Sequence, residues 1–117
     1  MIAELEGARF NEAIAELQQA RDNPNLRHQS MLLLGRAYDE IGMSDLAADE
    51  FEEAANEIGE MSDLKKEFLY FLALTYERLG KGEDSMKTLK QIFKHDCSYR
   101  NVAELVKSSY PTAILTQ

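Results

Sequence analysis

The stretch LLLGRAYDEIGMSDLAADEFEEA, residues 32–54, contains two amphipathic helical patterns separated by Gly42. Apolar and small residues recur at helical spacing on each side of this glycine. A second glycine, Gly35, lies in the middle of the first pattern, where it costs about 1 kcal/mol relative to alanine. A glycine in this position needs a structural reason, and the recurrence of the pattern along the chain supplies one.

Small and apolar residues repeat along the chain at two offsets. The shorter offset relates the pairs Ala13/Ala47, Leu17/Phe51 and Ala20/Ala54. The longer offset relates the pairs Tyr38/Tyr76, Ala47/Ser85 and Phe51/Leu89. The two offsets differ by close to one helical turn, so the longer spacing extends a helix without rotating its buried face. The register predicts a half unit, 1–23, and two full units, 24–61 and 62–97.

The spacing around LGRAY resembles the tetratricopeptide repeat, whose pattern is W-x2-L-G-x2-Y followed by A-x3-F. Leu34, Gly35 and Tyr38 stand at matching positions, and Met31 replaces the tryptophan. The next unit keeps the spacing with Leu69, Leu72, Ala73, Tyr76, Ser85, Leu89 and Ile92. The resemblance covers about residues 1–96, and no proline closes the second and third units. It implies an all-α, right-handed superhelical stack of antiparallel helix pairs, a TPR-like solenoid with a C-terminal capping helix.

The resemblance also gives a reason for Gly35. The two helices of a repeat cross closely, and a side chain at the crossing would hold their backbones apart. Small residues take that position on all four helices of the full units, namely Gly35, Ala47, Ala73 and Ser85. The alternative is an ordinary three-helix bundle in which the glycine has no special role.

Periodicity predicts helices near 1–6, 9–22, 25–41, 44–59, 62–79, 82–95 and 99–108. Their expected start signals are Asn23 with Pro24, Ser44 and Ser62, and Gly42 and Gly80 are expected to end helices. The last helix would cap the stack within residues 98–110, and residues 111–117 would form a frayed tail. One domain, excised from a longer protein, is the expected organisation.

Composition narrows the classes of partner. Asp and Glu number 21 against 13 Lys and Arg, giving a net charge of -8. This charge argues against nucleic acid and against an anionic membrane surface, and it favours a basic or neutral protein partner. The apolar runs are too short to insert into a membrane. The single cysteine precludes an internal disulfide and is compatible with a reducing compartment such as the cytoplasm, and the N-terminal sequence MIAELEGARF does not resemble a signal peptide.

No catalytic, metal or cofactor site is predicted. His95 and Cys97 are of residue types used in such sites, but adjacent positions at a helix end point in different directions. No second cysteine is present, so a zinc site would lack ligands. The acidic run DEFEE is expected to be a solvated helix face, and GKGEDS lacks the spacing of a phosphate-binding loop. We therefore expect a binding module rather than an enzyme.

The resemblance implies that the first helix of each unit lines a concave peptide-binding groove. The residues at groove positions are Gln29, Leu32, Leu33, Arg36, Asp39 and Glu40 in one unit and Glu67, Tyr70, Phe71, Leu74, Glu77 and Arg78 in the next. A peptide with an apolar anchor and a basic flank is the expected ligand. Arg36 and Arg78 could instead hold a terminal carboxylate. Neighbouring repeats of a longer array could also cover the apolar members.

The half unit predicts an apolar edge formed by Phe10, Ile14 and Leu17, because the helix that would cover it is cut short. Such an edge favours self-association. Three functions remain open at this point: a scaffold or adaptor that binds a peptide or protein, a regulatory module of a larger enzyme, and a self-assembly element. The sequence identifies neither the partner nor the pathway.

Overall fold

The computed structural model describes residues 2–111, with side chains from residue 9 onward. This part of the chain is all-helical and contains no strand. Its six helices are α1 (Ile2–Arg21), α2 (Arg27–Glu40), α3 (Ser44–Glu57), α4 (Asp63–Arg78), α5 (Gly82–His95) and α6 (Val102–Lys107). They fall into two compact units that divide between Glu57 and Ile58. From here on, the first unit is the part with α1, α2 and α3, and the second unit is the part with α4, α5 and α6.

In the first unit, α2 packs against both α1 and α3. The α2–α3 pair is antiparallel: Arg27 at the start of α2 bonds Glu57 at the end of α3, and Asp39 near the end of α2 accepts from Ser44 at the start of α3. The buried apolar side chains of these two helices are Met31, Leu34, Ala47, Ala48, Phe51, Ala54 and Ala55. Their spacing confirms the apolar stripe that the sequence predicts for each helix.

Gly35 lies directly against the ring of Phe51. A Cβ atom added at Gly35 would lie 2.7 Å from Phe51 Cζ and 2.9 Å from Phe51 Cδ1, closer than real Cβ atoms approach. Phe51 is fully buried, so its ring has little freedom to move away. The packing of this aromatic ring therefore offsets the helix cost of the glycine.

In the second unit, α5 packs against both α4 and α6. The buried apolar side chains are Phe68, Leu69, Leu72, Ala73, Leu89, Ile92, Val102 and Val106. Ala73 and Ser85 are in contact, because the buried Ser85 hydroxyl donates to the Ala73 carbonyl at 2.8 Å. The two small residues thus bring the backbone of α4 close to α5 at the place that the register predicts.

The first helix of each pair, α2 and α4, ends in the same way. Gly42 has a φ of +86° and Gly80 a φ of +76°, a left-handed conformation that favours glycine. The Met43 N–H donates to the Tyr38 carbonyl at 2.8 Å, and the Gly42 N–H donates to the Asp39 carbonyl at 3.1 Å. The same two bonds recur at the corresponding positions around Gly80, at 2.8 and 3.1 Å. Both glycines therefore end their helices, as predicted, and the two bonds at each end form a Schellman motif.

Several predicted helix boundaries are wrong. The chain does not break near Gly7, because α1 is one continuous helix. Asn23 and Pro24 do not start a helix: the Asn23 side chain accepts from the Asn25 N–H at 3.0 Å within a turn, and α2 begins at Arg27. The capping helix is shorter than the predicted 99–108 and begins at Val102. Met1 and residues 112–117, which include most of the predicted tail, lie outside the described residues.

The two predicted serine caps differ. Ser62 caps α4, because its hydroxyl accepts from the Lys65 N–H at 3.2 Å. Ser44 is instead the first residue of α3, and its hydroxyl donates to the Asp39 carboxylate at 2.7 Å. The prediction for Ser44 is therefore wrong by one residue, and the serine links the start of α3 to the end of α2.

Candidate functional site

The predicted groove residues of the first unit lie along α2, and most of them face solvent. Gln29, Arg36 and Glu40 are exposed, and Leu32 and Asp39 are half-buried. Leu33 is 44% exposed, which is high for a leucine in a packed helix. The exposed face of α2 therefore combines one apolar side chain with charges of both signs.

The predicted groove residues of the second unit lie along α4 and are more covered. Four of them, Glu67, Tyr70, Phe71 and Leu74, are half-buried, whereas Glu77 and Arg78 are exposed. The cover over Glu67, Tyr70 and Phe71 comes in part from residues 99–101, which precede α6. The sequence did not predict this contact.

Three aromatic rings and one guanidinium group form a cluster on this face. Tyr70 packs edge-on against Phe71 and Tyr99, with ring centroids 6.1 and 6.0 Å apart. The Arg100 guanidinium carbon lies 4.8 Å from the Tyr70 ring centroid, 5.4 Å from that of Tyr99 and 5.6 Å from that of Phe71. All three distances fall within the range of cation–π attraction. We call Tyr70, Phe71 and Tyr99 the ring cluster.

Polar contacts fix the chain around the ring cluster. The Tyr70 hydroxyl donates to the Asn101 side-chain oxygen at 2.7 Å. The Lys66 ammonium donates to the Asp96 carboxylate at 3.0 Å, and the Asp96 carboxylate also accepts from the Ser98 hydroxyl at 2.7 Å. The hydrogen bond from Ser98 lowers the pKa of Asp96 most, and the bond from Lys66 lowers it further. Two side chains of α4 thus anchor the segment that carries Tyr99 and Arg100.

A second group of charged side chains, the ionic network, ties the first unit together. Arg27 on α2 contacts two carboxylates of α3, that of Glu57 at 2.6 Å and that of Glu53 at 3.2 Å. His28 Nε2 lies 2.9 Å from Glu57 Oε1. At the end of α1, Arg21 forms an ion pair with Glu50 of α3. The acidic run on α3 is therefore not simply a solvated face, as the sequence predicted.

Two carboxylates of the ionic network have pKa values that shift in opposite directions. Hydrogen bonds from Arg27 lower the pKa of Glu57 to about 2. Burial raises the pKa of Glu50 despite its ion pair with Arg21, since only 8% of the Glu50 side chain is exposed. Ionised Glu57 therefore favours the folded unit, whereas burying the Glu50 charge opposes it.

The residues of the predicted oligomer edge lie on α1. Phe10, Ile14 and Leu17 are all half-buried, and the next residue, Gln18, donates to the Tyr38 hydroxyl of α2 at 3.1 Å. The edge is thus partly covered within its own unit. The described residues leave its role in self-association as a prediction.

His95 and Cys97, weighed for catalysis or metal binding, are both exposed at the end of α5. Among the side chains of residues 9–111, no three His, Cys, Asp or Glu lie close enough together to hold a metal ion. The same part of the chain has no helix that is both long and apolar enough to cross a membrane.

The sequence analysis predicted neither the ionic network nor the ring cluster, although the sequence contains an indication of each. Arg27 and Glu57 stand at opposite ends of two helices that were predicted to be antiparallel, which places them side by side. Tyr99 and Arg100 were assigned to a capping helix and so were not considered as partners of α4. Their neighbours Asp96 and Ser98 are residue types that stabilise turns, which favours a loop at this point.

Comparisons of the chain with protein-family models, with curated proteins and with solved structures returned no match.

Proposed function

We propose that this chain is a tetratricopeptide-type helical module that acts as a scaffold or adaptor and binds a peptide or protein through exposed helix faces, that of α2 in the first unit and that of α4 in the second. The observation that carries the proposal is the close crossing of Gly35 and Phe51 within an α2–α3 pair that has the spacing of this repeat. The second unit supports it, since α4 ends in the same glycine motif at the corresponding position of the register. Modules of this type function by binding rather than by catalysis.

The side chains on α2 and α4 suggest what the partner offers. Leu33, Phe71 and Leu74 provide apolar surface, and Tyr70 provides a large ring with few rotors to immobilise. Asp39, Glu40, Glu67 and Glu77 add negative charge along the same two helices. We therefore propose a peptide with one apolar anchor and a basic flank, drawn in by the net charge of -8.

A peptide-array screen followed by titration tests the proposal. The best binders should lose at least about fivefold in affinity, near 1 kcal/mol, with Tyr70→Ala and with Glu77→Lys. Glu60→Lys changes the charge equally at an exposed position between α3 and α4, and it is the matched control. Tyr70→Phe keeps the ring and removes only the bond to Asn101, so it separates binding from loop anchoring.

If neither Tyr70→Ala nor Glu77→Lys weakens the best binders, the α4 face is not the binding site. An acidic or free-ended peptide selected by the screen would favour instead a carboxylate held by Arg36 or Arg78.

A further inference from the structure

The guanidinium group of Arg100 is surrounded in the way that a binding site surrounds a cationic ligand. Its guanidinium group lies against all three rings of the ring cluster, although 43% of its side chain remains exposed. The Glu67 carboxylate lies 3.6 Å from the same group and supplies the opposite charge. Three rings and a carboxylate around one cation are the elements with which proteins recognise cationic side chains.

We propose that the ring cluster with Glu67 is a binding site for an arginine side chain of the partner, and that Arg100 is its internal occupant, displaced when the partner binds. This inference rests on the proposed function and specifies it, because it names the group that the basic flank of the peptide would insert. Arginine fits better than lysine because a planar guanidinium stacks on ring faces.

The backbone of Arg100 supports its role as a displaceable occupant. Its φ is +44°, and it is the one residue other than glycine with a positive φ among residues 2–111. A left-handed conformation is unfavourable for an arginine, so part of the contact energy is spent in holding it. The side chain can rotate away from the rings without any change in this backbone, so Tyr99 and Asn101 on either side keep their positions.

The site itself would remain in place after Arg100 leaves. Tyr70 is held by its bond to Asn101, and the segment before Tyr99 is held by the bonds of Asp96 to Lys66 and Ser98. Glu67 would lose the Arg100 charge and become available to the incoming guanidinium. An arginine from outside would therefore restore the contacts that Arg100 gives up.

NMR titration with the peptide acetyl-Gly-Arg-Gly-amide tests this competition. Arg100→Gly removes the occupant and suits the left-handed backbone, so the site should be vacant in a folded protein. We expect this variant to bind the probe about three- to tenfold more tightly than the wild type, because no internal cation competes. The resonances that move should be the ring protons of Tyr70, Phe71 and Tyr99. Lys87→Ala, which removes an exposed cation elsewhere in the unit, should leave the affinity unchanged.

The same peptide with citrulline in place of arginine has the shape of the probe without its charge, and it should bind neither protein. The proposal would be overturned if wild type and Arg100→Gly bound the arginine probe with equal affinity, or if neither protein bound it. It would also be overturned if the citrulline peptide bound as tightly as the arginine probe. A peptide that loses affinity on Arg100→Gly would also overturn it, because Arg100 would then contact the ligand itself.

Tyr99→Ala separates this inference from the proposed function. Tyr99 belongs to the ring cluster but not to α2 or α4, so its loss should abolish binding of the arginine probe. If peptides from the array bind α4 as proposed and yet are insensitive to Tyr99→Ala and Arg100→Gly, the arginine site is refuted and the proposed function stands. If the arginine probe binds as expected but no array peptide loses affinity on substitution of Tyr70 or Glu77, the arginine site stands and the proposed function is refuted.

Discussion

Gly35 and Phe51 are packed so closely that one methyl group at residue 35 would overlap the phenylalanine ring. A Cβ atom there would lie 2.7 Å from Phe51 Cζ. In the second unit, Ala73 and Leu89 take the positions that correspond to Gly35 and Phe51 in the repeat register. A larger residue on one helix is thus matched with a smaller residue on the other.

Gly35→Leu should destabilise the protein by about 1–3 kcal/mol, because the helices must separate or the buried Phe51 must leave its position. The free energy of unfolding in urea measures this directly. Gly59 offers a control, since nothing lies within 4 Å of a Cβ added there, and Gly59→Ala should have little effect. A loss smaller than about 0.5 kcal/mol for Gly35→Leu would show that the crossing is not close.

A double-mutant cycle refines this test. Gly35→Ala combined with Phe51→Leu creates in the first unit the pair that the second unit already has. We expect the two substitutions to be coupled by at least about 0.5 kcal/mol, with Gly35→Ala tolerated better when residue 51 is leucine. Additive effects would mean that the two side chains do not compete for the same space.

Glu57 should make the stability of the protein depend on pH in the acid range. Its pKa falls from an ordinary 4.5 to about 2 in the folded state, so its contribution is complete above pH 4.5 and is lost as the pH falls toward 2. Glu57→Gln should destabilise by about 1 kcal/mol at pH 7, a value kept small by the partial exposure of its contacts. The difference from wild type should vanish near pH 2.

Thermal unfolding followed by circular dichroism between pH 2 and pH 7 measures this dependence. Glu83→Gln, at an exposed position on α5 outside the ionic network, is the control and should leave the pH profile unchanged. A Glu57→Gln profile parallel to that of wild type over the whole range would refute the link between Arg27 and Glu57.

The apolar edge of α1 should promote self-association. Phe10, Ile14 and Leu17 are only half-buried by their own unit, so a second copy could cover the remainder. Light scattering should show a concentration-dependent rise in mass that Ile14→Glu abolishes. A strict monomer at about 100 μM, unchanged by this substitution, would contradict the prediction, since even weak dimers with a Kd in the micromolar range would be detected.

The features that could be predicted from the sequence were those set by local chemistry. Gly42 and Gly80 follow apolar stripes and have the freedom to adopt a positive φ, so both helix ends were placed correctly. Ser62 stands directly before a helical pattern, and its hydroxyl caps the helix. The four small residues expected at the helix crossings, Gly35, Ala47, Ala73 and Ser85, are buried as predicted, whereas the burial of Glu50 and Phe68 was not predicted.

The features that could not be predicted depend on contacts between distant residues or on small energy differences. Gly7 costs about 1 kcal/mol in a helix, which does not break a long one, and α1 continues through it. Asn23 forms a local turn that competes with the helix start expected at Pro24. The ring cluster joins Tyr70 to Tyr99, which lie far apart along the chain, and the positive φ of Arg100 has no signal in its residue type.

Chemical-shift mapping with the best peptide from the array tests the proposed binding function most directly. Backbone amide signals would be followed during titration, with a peptide of scrambled sequence as the control. We expect the largest changes on the exposed faces of α2 and α4, around Leu33, Tyr70, Phe71 and Leu74. Changes confined to α3 and α5, or to the Phe10–Leu17 edge of α1, would contradict peptide binding by α2 and α4.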